Sequence, residues 1–107
     1  MTYKVLGQSA PSATTNTDVY TVPAATQAVI STITVCNRAA SSATYRIAIR
    51  VAGATIANED YIVYDSTVPA NDTISLTIGV TLAATDVITV YASTANFSFN
   101  IFGAEIA

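Results

Sequence analysis

At 107 residues the chain has the length of one domain, and a formal net charge of −3 gives it none of the basic excess that nucleic-acid binding calls for. Only 10% of its residues are charged, against roughly 25% in an ordinary soluble domain, while 51% are hydrophobic. It has a single cysteine and no histidine, which excludes an intrachain disulfide, the Ser-His-Asp and Cys-His nucleophile arrangements, and the usual transition-metal sites.

In chain order, residues 3–8 read as a first strand, with Val5 and Leu6 on opposite sides. Residues 9–16 form a Ser/Thr/Ala loop around Pro11. Residues 17–22 form a short second strand, closed by Pro23, which cannot donate to a ladder. Residues 24–27 then turn the chain into its most strongly patterned stretch. Two long strands are expected at 29–37 and 44–51, paired as a hairpin through a polar turn at 38–42. In the second of them Tyr45, Ile47, Ile49 and Val51 alternate with Arg46, Ala48 and Arg50. A strict period of two marks one buried and one wet face. Ile33, Val35, Ile47 and Ile49 are the expected start of the core. Cys36 ends an apolar run and reads as a small buried hydrophobe.

Gly53 and Asn58 suit a turn, and the alanines around them allow at most one turn of helix. The run Tyr61-Ile62-Val63-Tyr64 is apolar on both faces, so it is expected inside a sheet or against a partner. Pro69-Ala70-Asn71-Asp72 is a turn. Residues 73–82 alternate most cleanly, with Ile74, Leu76, Ile78, Val80 and Leu82 on one side. The uncharged, proline-free window 74–80 would be an aggregation hazard on an open edge, so it is expected mid-sheet or under a neighbouring subunit. Strands at 87–92 and from Phe97 onward complete the chain. About eight short strands at this spacing, with no helical period, predict one all-β domain over residues 1–107: an antiparallel two-sheet sandwich, jelly-roll or immunoglobulin-like.

Chemistry-bearing residues are few. The only acidic cluster, Glu59, Asp60, Asp65 and Asp72, flanks one strand at its turn ends. Turn-forming and solubilising roles explain it better than a paired-carboxylate hydrolase or a calcium loop, whose spacing it does not match. No catalytic, metal or cofactor residue is expected. The triplets Asn71-Asp72-Thr73 and Asn96-Phe97-Ser98 fall at turns, where asparagine is common anyway. Arg46 and Arg50 share the wet face of one strand, roughly 13 Å apart. A pair of surface salt bridges explains them slightly better than a grip on an acidic partner, which stays the sharper alternative. With Arg38 and the outward-facing Tyr61, Tyr64 and Tyr91, they are the candidate partner contacts; Tyr45, Phe97 and Phe99 are assigned to the core. The neutral surface of Thr, Ser, Ala and Asn suggests self-association or life in a larger assembly, although a secreted β protein with a Thr-rich face has the same composition. No apolar run reaches about 18 residues, so no transmembrane helix is expected. Met1-Thr2-Tyr3-Lys4 does not read as a signal peptide, so synthesis in the cytoplasm is expected.

Tyr3-Lys4-Val5-Leu6-Gly7-Gln8, Tyr20-Thr21-Val22-Pro23, the run from Ile30 to Arg38 and Leu82-Ala83-Ala84-Thr85-Asp86 resemble small virion structural proteins of tailed bacteriophages, especially those infecting cyanobacteria. The resemblance runs nearly end to end, and its motifs are structural: a Thr-Val-Pro turn into a long strand and an Asn-containing turn out of it. It implies a copy-rich, non-enzymatic building block of the particle. Within that class a capsid decoration (cement) protein is expected, forming a trimer or ring and contacting major capsid or neck and tail proteins, with neither nucleic acid nor membrane as partner. A neck, tail or fibre component and a lectin-like receptor-binding module are the alternatives.

Overall fold

Runs rich in Val, Ile, Thr and aromatic residues, cut by Pro, Gly, Asn and Asp, become nine strands. They are β1 (Thr2–Ser9), β2 (Thr17–Thr21), β3 (Gln27–Asn37), β4 (Ala43–Arg50), β5 (Tyr61–Val68), β6 (Thr73–Leu76), β7 (Val80–Leu82), β8 (Val87–Ala92) and β9 (Phe97–Ile106). The computed structural model describes residues 1–107. Sheet A has the order β1-β9-β3-β6, with β7 continuing the β6 edge along β3; sheet B has the order β2-β8-β4-β5. All pairs are antiparallel. With β6 and β7 taken as one broken strand, every connection except β4–β5 crosses from one sheet to the other. That is the order of a jelly roll. In an immunoglobulin sandwich the first two strands are neighbours; here β1 and β2 lie in different sheets.

The hairpin expected around residues 38–42 does not exist. β3 and β4 lie in opposite sheets, and 38–42 is a corner between them. The reason is where the hydrogen bonds at the corner go. The buried Asn37 amide donates to the carbonyls of Ser41, Val68 and Pro69, at 3.0, 3.1 and 3.3 Å, and its Oδ1 accepts from the Ala39 N–H. The main-chain N–H groups of Asn37 and Arg38 donate to Asp72 and Asn96. The corner is tied to the β5–β6 and β8–β9 turns, so nothing is left to pair with β4.

The core fills the space between the sheets as alternation requires. Ile33, Val35 and Ile47 are fully buried, with Ile49 partly covered beside them. Tyr45 from sheet B packs on Phe97 and Phe99 from β9, ring centroids 6.1–6.2 Å apart. Alternation in β3 changes phase once. Ile30 pairs with Gly103 and Thr32 with Phe102, so Ser31 is an extra, bulged residue whose hydroxyl donates to the Phe102 carbonyl at 3.1 Å. The bulge lets Ala28 and Ile30 face the core ahead of it, and Ile33 and Val35 after it.

Three other expectations change: two lose one of their two alternatives, and the third is corrected. Residues 74–80 are not mid-sheet. They are an edge, and it is blunted by a break between β6 and β7 where Gly79 sits at φ +60°. Short edge segments offer little template for pairing. The break throws Ile78 out to solvent, away from the core side where alternation puts it. The Tyr61–Tyr64 strand is also not inside a sheet, because β5 is the edge of sheet B. Cys36 is a free thiol, partly exposed, and its register partners Ser98 and Thr73 place it on the outer face of sheet A, away from the core.

Candidate functional site

Sheet B turns Arg46, Ala48 and Arg50 of β4 outward, because Tyr45 and Ile47 between them are buried. Tyr91 of β8 is the direct cross-strand partner of Arg46. On the other side, Ser66 pairs with Tyr45 and Val63 with Ile47, so Tyr64 and Asp65 together oppose the single residue Arg46. Asp65 takes a left-handed φ of +53° in this bulge. A second irregularity, at Ile62, returns Tyr61 to the outer face opposite Ala48. Two bulges in four residues thus re-aim the β5 side chains onto one spot.

The result is a built cluster. The Arg46 guanidinium lies 4.2 Å from the ring centroids of both Tyr64 and Tyr91. Its Nε donates to Asp65 Oδ1 at 2.7 Å and Nη2 to Oδ2 at 3.3 Å, while Nη1 makes no hydrogen bond within the chain. The hydrogen bonds to Asp65 push the Arg46 pKa further up, so it is a cation at every accessible pH. Tyr61 meets Tyr64 edge-on, centroids 4.9 Å apart. A shallow cleft of about 360 Å³ beside them is lined by Asn58, Tyr61 and Tyr64.

The structure thus gathers Arg46, Tyr61, Tyr64 and Tyr91, and leaves the other two candidates outside. Arg50 is on the same face but acts as a strut. Its Nη2 donates to both oxygens of Asp18 at 3.0 Å, Nε to Thr89 at 3.1 Å, and Nη1 to the carbonyls of Gly53 and Ala54. Arg38 sits at the β3–β4 corner and donates to the Ala95 carbonyl. The four carboxylates of the acidic cluster do not converge either. Asp65 holds Arg46, Asp60 caps its own turn by accepting from Ala57 N–H, and Asp72 accepts from Thr73 N–H.

No family model, curated protein or solved structure matches the chain.

A second surface went unread in the sequence. On β1 and β9, Lys4 and Glu105 turn to the sheet B side, at the margin of the sandwich where Lys4 stays half-exposed; Lys4 Nζ lies 2.7 Å from Glu105 Oε1 and the Tyr20 hydroxyl donates to Oε2 at 2.6 Å. Their neighbours Tyr3, Val5, Phe102 and Ala104 must therefore point outward. Tyr3, Ala104, Val29 and Thr81 form one rung across four strands; Val5, Phe102 and Thr32 form the next. The signal was present in Tyr3 and Val5, two large apolar side chains flanking the only charge of the first strand.

The Lys4–Glu105–Tyr20 group also sets a pH dependence. Lys4 first, and then Tyr20, hold the Glu105 carboxyl below its usual range, while burial and the Glu105 bond push the Tyr20 hydroxyl far up. A depressed carboxylate contributes stability above its unfolded pKa of about 4.3 and loses it as pH falls through the lower folded value. Urea unfolding of the wild type and Glu105→Gln should therefore show a gap that is constant near neutrality and closes below about pH 4. A gap unchanged down to pH 3 would refute the account.

Proposed function

We propose that the chain is a non-enzymatic structural protein of a tailed-bacteriophage virion, made in the host cytoplasm, and within that a capsid decoration (cement) protein that oligomerises on the particle. The observation that carries this reading is the way the fold disposes of its charge. Three of the four cations are closed inside the chain in the pairs Lys4–Glu105, Arg46–Asp65 and Arg50–Asp18. The two rungs on the outer face of sheet A contain no charged residue. A domain so arranged repels neighbours weakly and can pack broad neutral faces against them, excluding water over a large area. The resemblance of its strand and turn segments to phage virion proteins points the same way. The mechanism is mechanical: a stiff jelly roll bridges capsid subunits, and the sum of many close contacts resists pressure from within.

Counting copies per purified virion by quantitative protein gel tests this reading. Hundreds of copies support decoration of the head. A few to a dozen point to a neck, tail or fibre position, and none rejects the virion reading. One feature favours a second function, a lectin-like module at a fibre tip: the exposed Tyr64 beside the Asn58–Tyr61 cleft. Tyrosine faces with a free amide nearby suit contact with a sugar ring. Glycan-array binding that is lost in Tyr64→Ala would move that function ahead of decoration.

A further inference from the structure

We propose that the apolar half of the outer face of sheet A is a self-recognition surface, on which a second copy of this chain docks about a two-fold axis. Its use on a particle rests on the virion reading; the association itself does not. The surface consists of Tyr3 and Val5 on β1, Phe102 and Ile106 on β9, and Val29 on β3; Ala104, in the same rung as Tyr3 and Val29, is itself buried. Four of the nine large hydrophobic side chains that the chain exposes lie here, with Tyr3 at 78%, Val5 at 48% and Val29 at 40%. Side chains of this size in adjoining rungs make a continuous patch rather than scattered surface residues.

Charge selects the occupant. The charged residues of these strand segments, Lys4 and Glu105, turn to the other side and neutralise each other. Each copy carries a net charge of −3. A self-contact through sheet B would have to strip water from the ion pairs Arg46–Asp65 and Arg50–Asp18 of both copies, a desolvation cost that an uncharged face does not carry. The outer face of sheet A has nothing to repel its own copy. Area sets the extent of the contact. A standard interface takes about 800 Å² from each partner, about a seventh of the 5316 Å² surface of this chain. The broad side of the molecule measures 42 by 28 Å, so a standard interface would take about two-thirds of it.

The sheet edges direct the contact to the face. β1 carries a bulge at Leu6 and a lysine turned to the sheet B side, and the β6–β7 edge is broken at 77–79; all three hinder strand addition. A patch of one kind meeting its own copy gives an isologous two-fold contact. The product is a dimer, in place of the trimer or ring that the sequence suggests.

Sedimentation velocity on the purified full chain over a wide concentration range tests this. The wild type should show a concentration-dependent monomer–dimer equilibrium. Val29→Lys should raise the dissociation constant by about a hundredfold or more, since each dimer gains the charge twice. Tyr64→Lys on the opposite face should behave as the wild type. Circular dichroism checks folding, and Tyr3→Lys, at a more exposed edge position, replaces Val29→Lys if β3 does not tolerate the charge. A wild type that stays monomeric throughout, or a dimer lost in Tyr64→Lys and kept in the sheet A variants, overturns the proposal. A monomer found in hundreds of copies on virions would sink this inference alone; a solution dimer absent from virions would sink only the virion reading.

Discussion

Asn37→Asp is expected to remove a large part of the protein's stability at neutral pH. The Asn37 side chain is fully buried, and its amide nitrogen donates to three carbonyls from two separate turns. A carboxylate in its place has no proton to donate. It would face the oxygens of Ser41, Val68 and Pro69, with only the Ala39 N–H to offset its charge. Removing the partner of a buried polar group costs about 1–3 kcal/mol, and an uncompensated buried charge costs about 3–5 kcal/mol. The whole domain is held by about 5–15 kcal/mol. Asn37→Ala, which brings no charge, should cost about 2–3 kcal/mol. The two variants should also differ in pH response. Burial beside carbonyls raises the folded pKa of the new carboxyl, so its penalty is full at neutral pH and eases as acid protonates it. Urea unfolding at pH 7 and pH 4 measures both effects. If Asn37→Asp unfolds within about 1 kcal/mol of the wild type at pH 7, the corner is not held as described.

Asn37 also explains why the chain's best-patterned stretch was misread as a hairpin. Alternation in Ile33, Val35, Tyr45 and Ile47 reports which side of a strand is buried, and all four are buried. It carries no information on which strand lies alongside. That depends on bonds from Asn37 to Val68 and Pro69, more than thirty residues away in sequence. The same limit hid the bulges. Ser31 looks like any polar residue of a strand until the register of Ile30 with Gly103 and of Thr32 with Phe102 makes it supernumerary. Ile78 sits on the apolar side of an unbroken pattern, yet the ladder with β3 ends at Leu76 and resumes at Val80.

The site was legible in its members and not in its geometry. Arg46, Tyr61, Tyr64 and Tyr91 all read as outward-facing in the sequence. Simple alternation, however, puts Tyr61 and Tyr64 on opposite faces. Only the two irregularities of β5 bring them together, and only the bulge at Asp65 gives Arg46 its intrachain partner. The scarcity of positive charge makes a grip on an acidic partner one reading of the two arginines, and surface salt bridges the slightly favoured one. The structure commits Arg46 and Arg50 to Asp65 and Asp18, so any docking on sheet B would rest mainly on the tyrosine faces.

Gly103→Ala is expected to cost about 3 kcal/mol, at the upper end for overpacking a core. A methyl group on Gly103 would fall well inside contact distance of the Val29 carbonyl and press on the Cα of Ile30. Both belong to the backbone of β3, which is pinned between β9 and the β6–β7 edge and cannot swing aside as a side chain would. The approach is close because the Ser31 bulge draws β3 across Gly103. Gly79→Ala provides the contrast. An added methyl there meets nothing, so only the left-handed φ of +60° opposes it, at about 1 kcal/mol. If thermal or urea unfolding ranks Gly79→Ala as the worse of the two, the close β3–β9 approach is not what the residue at 103 serves. Gly103 also lies beside Phe102 of the proposed docking face. Shifting β9 there should weaken self-association together with stability, whereas Val29→Lys should weaken association and, compared at concentrations where the wild type is monomeric, leave the unfolding midpoint nearly in place. That separation of the two readouts distinguishes a surface used for contact from one that is merely part of the fold.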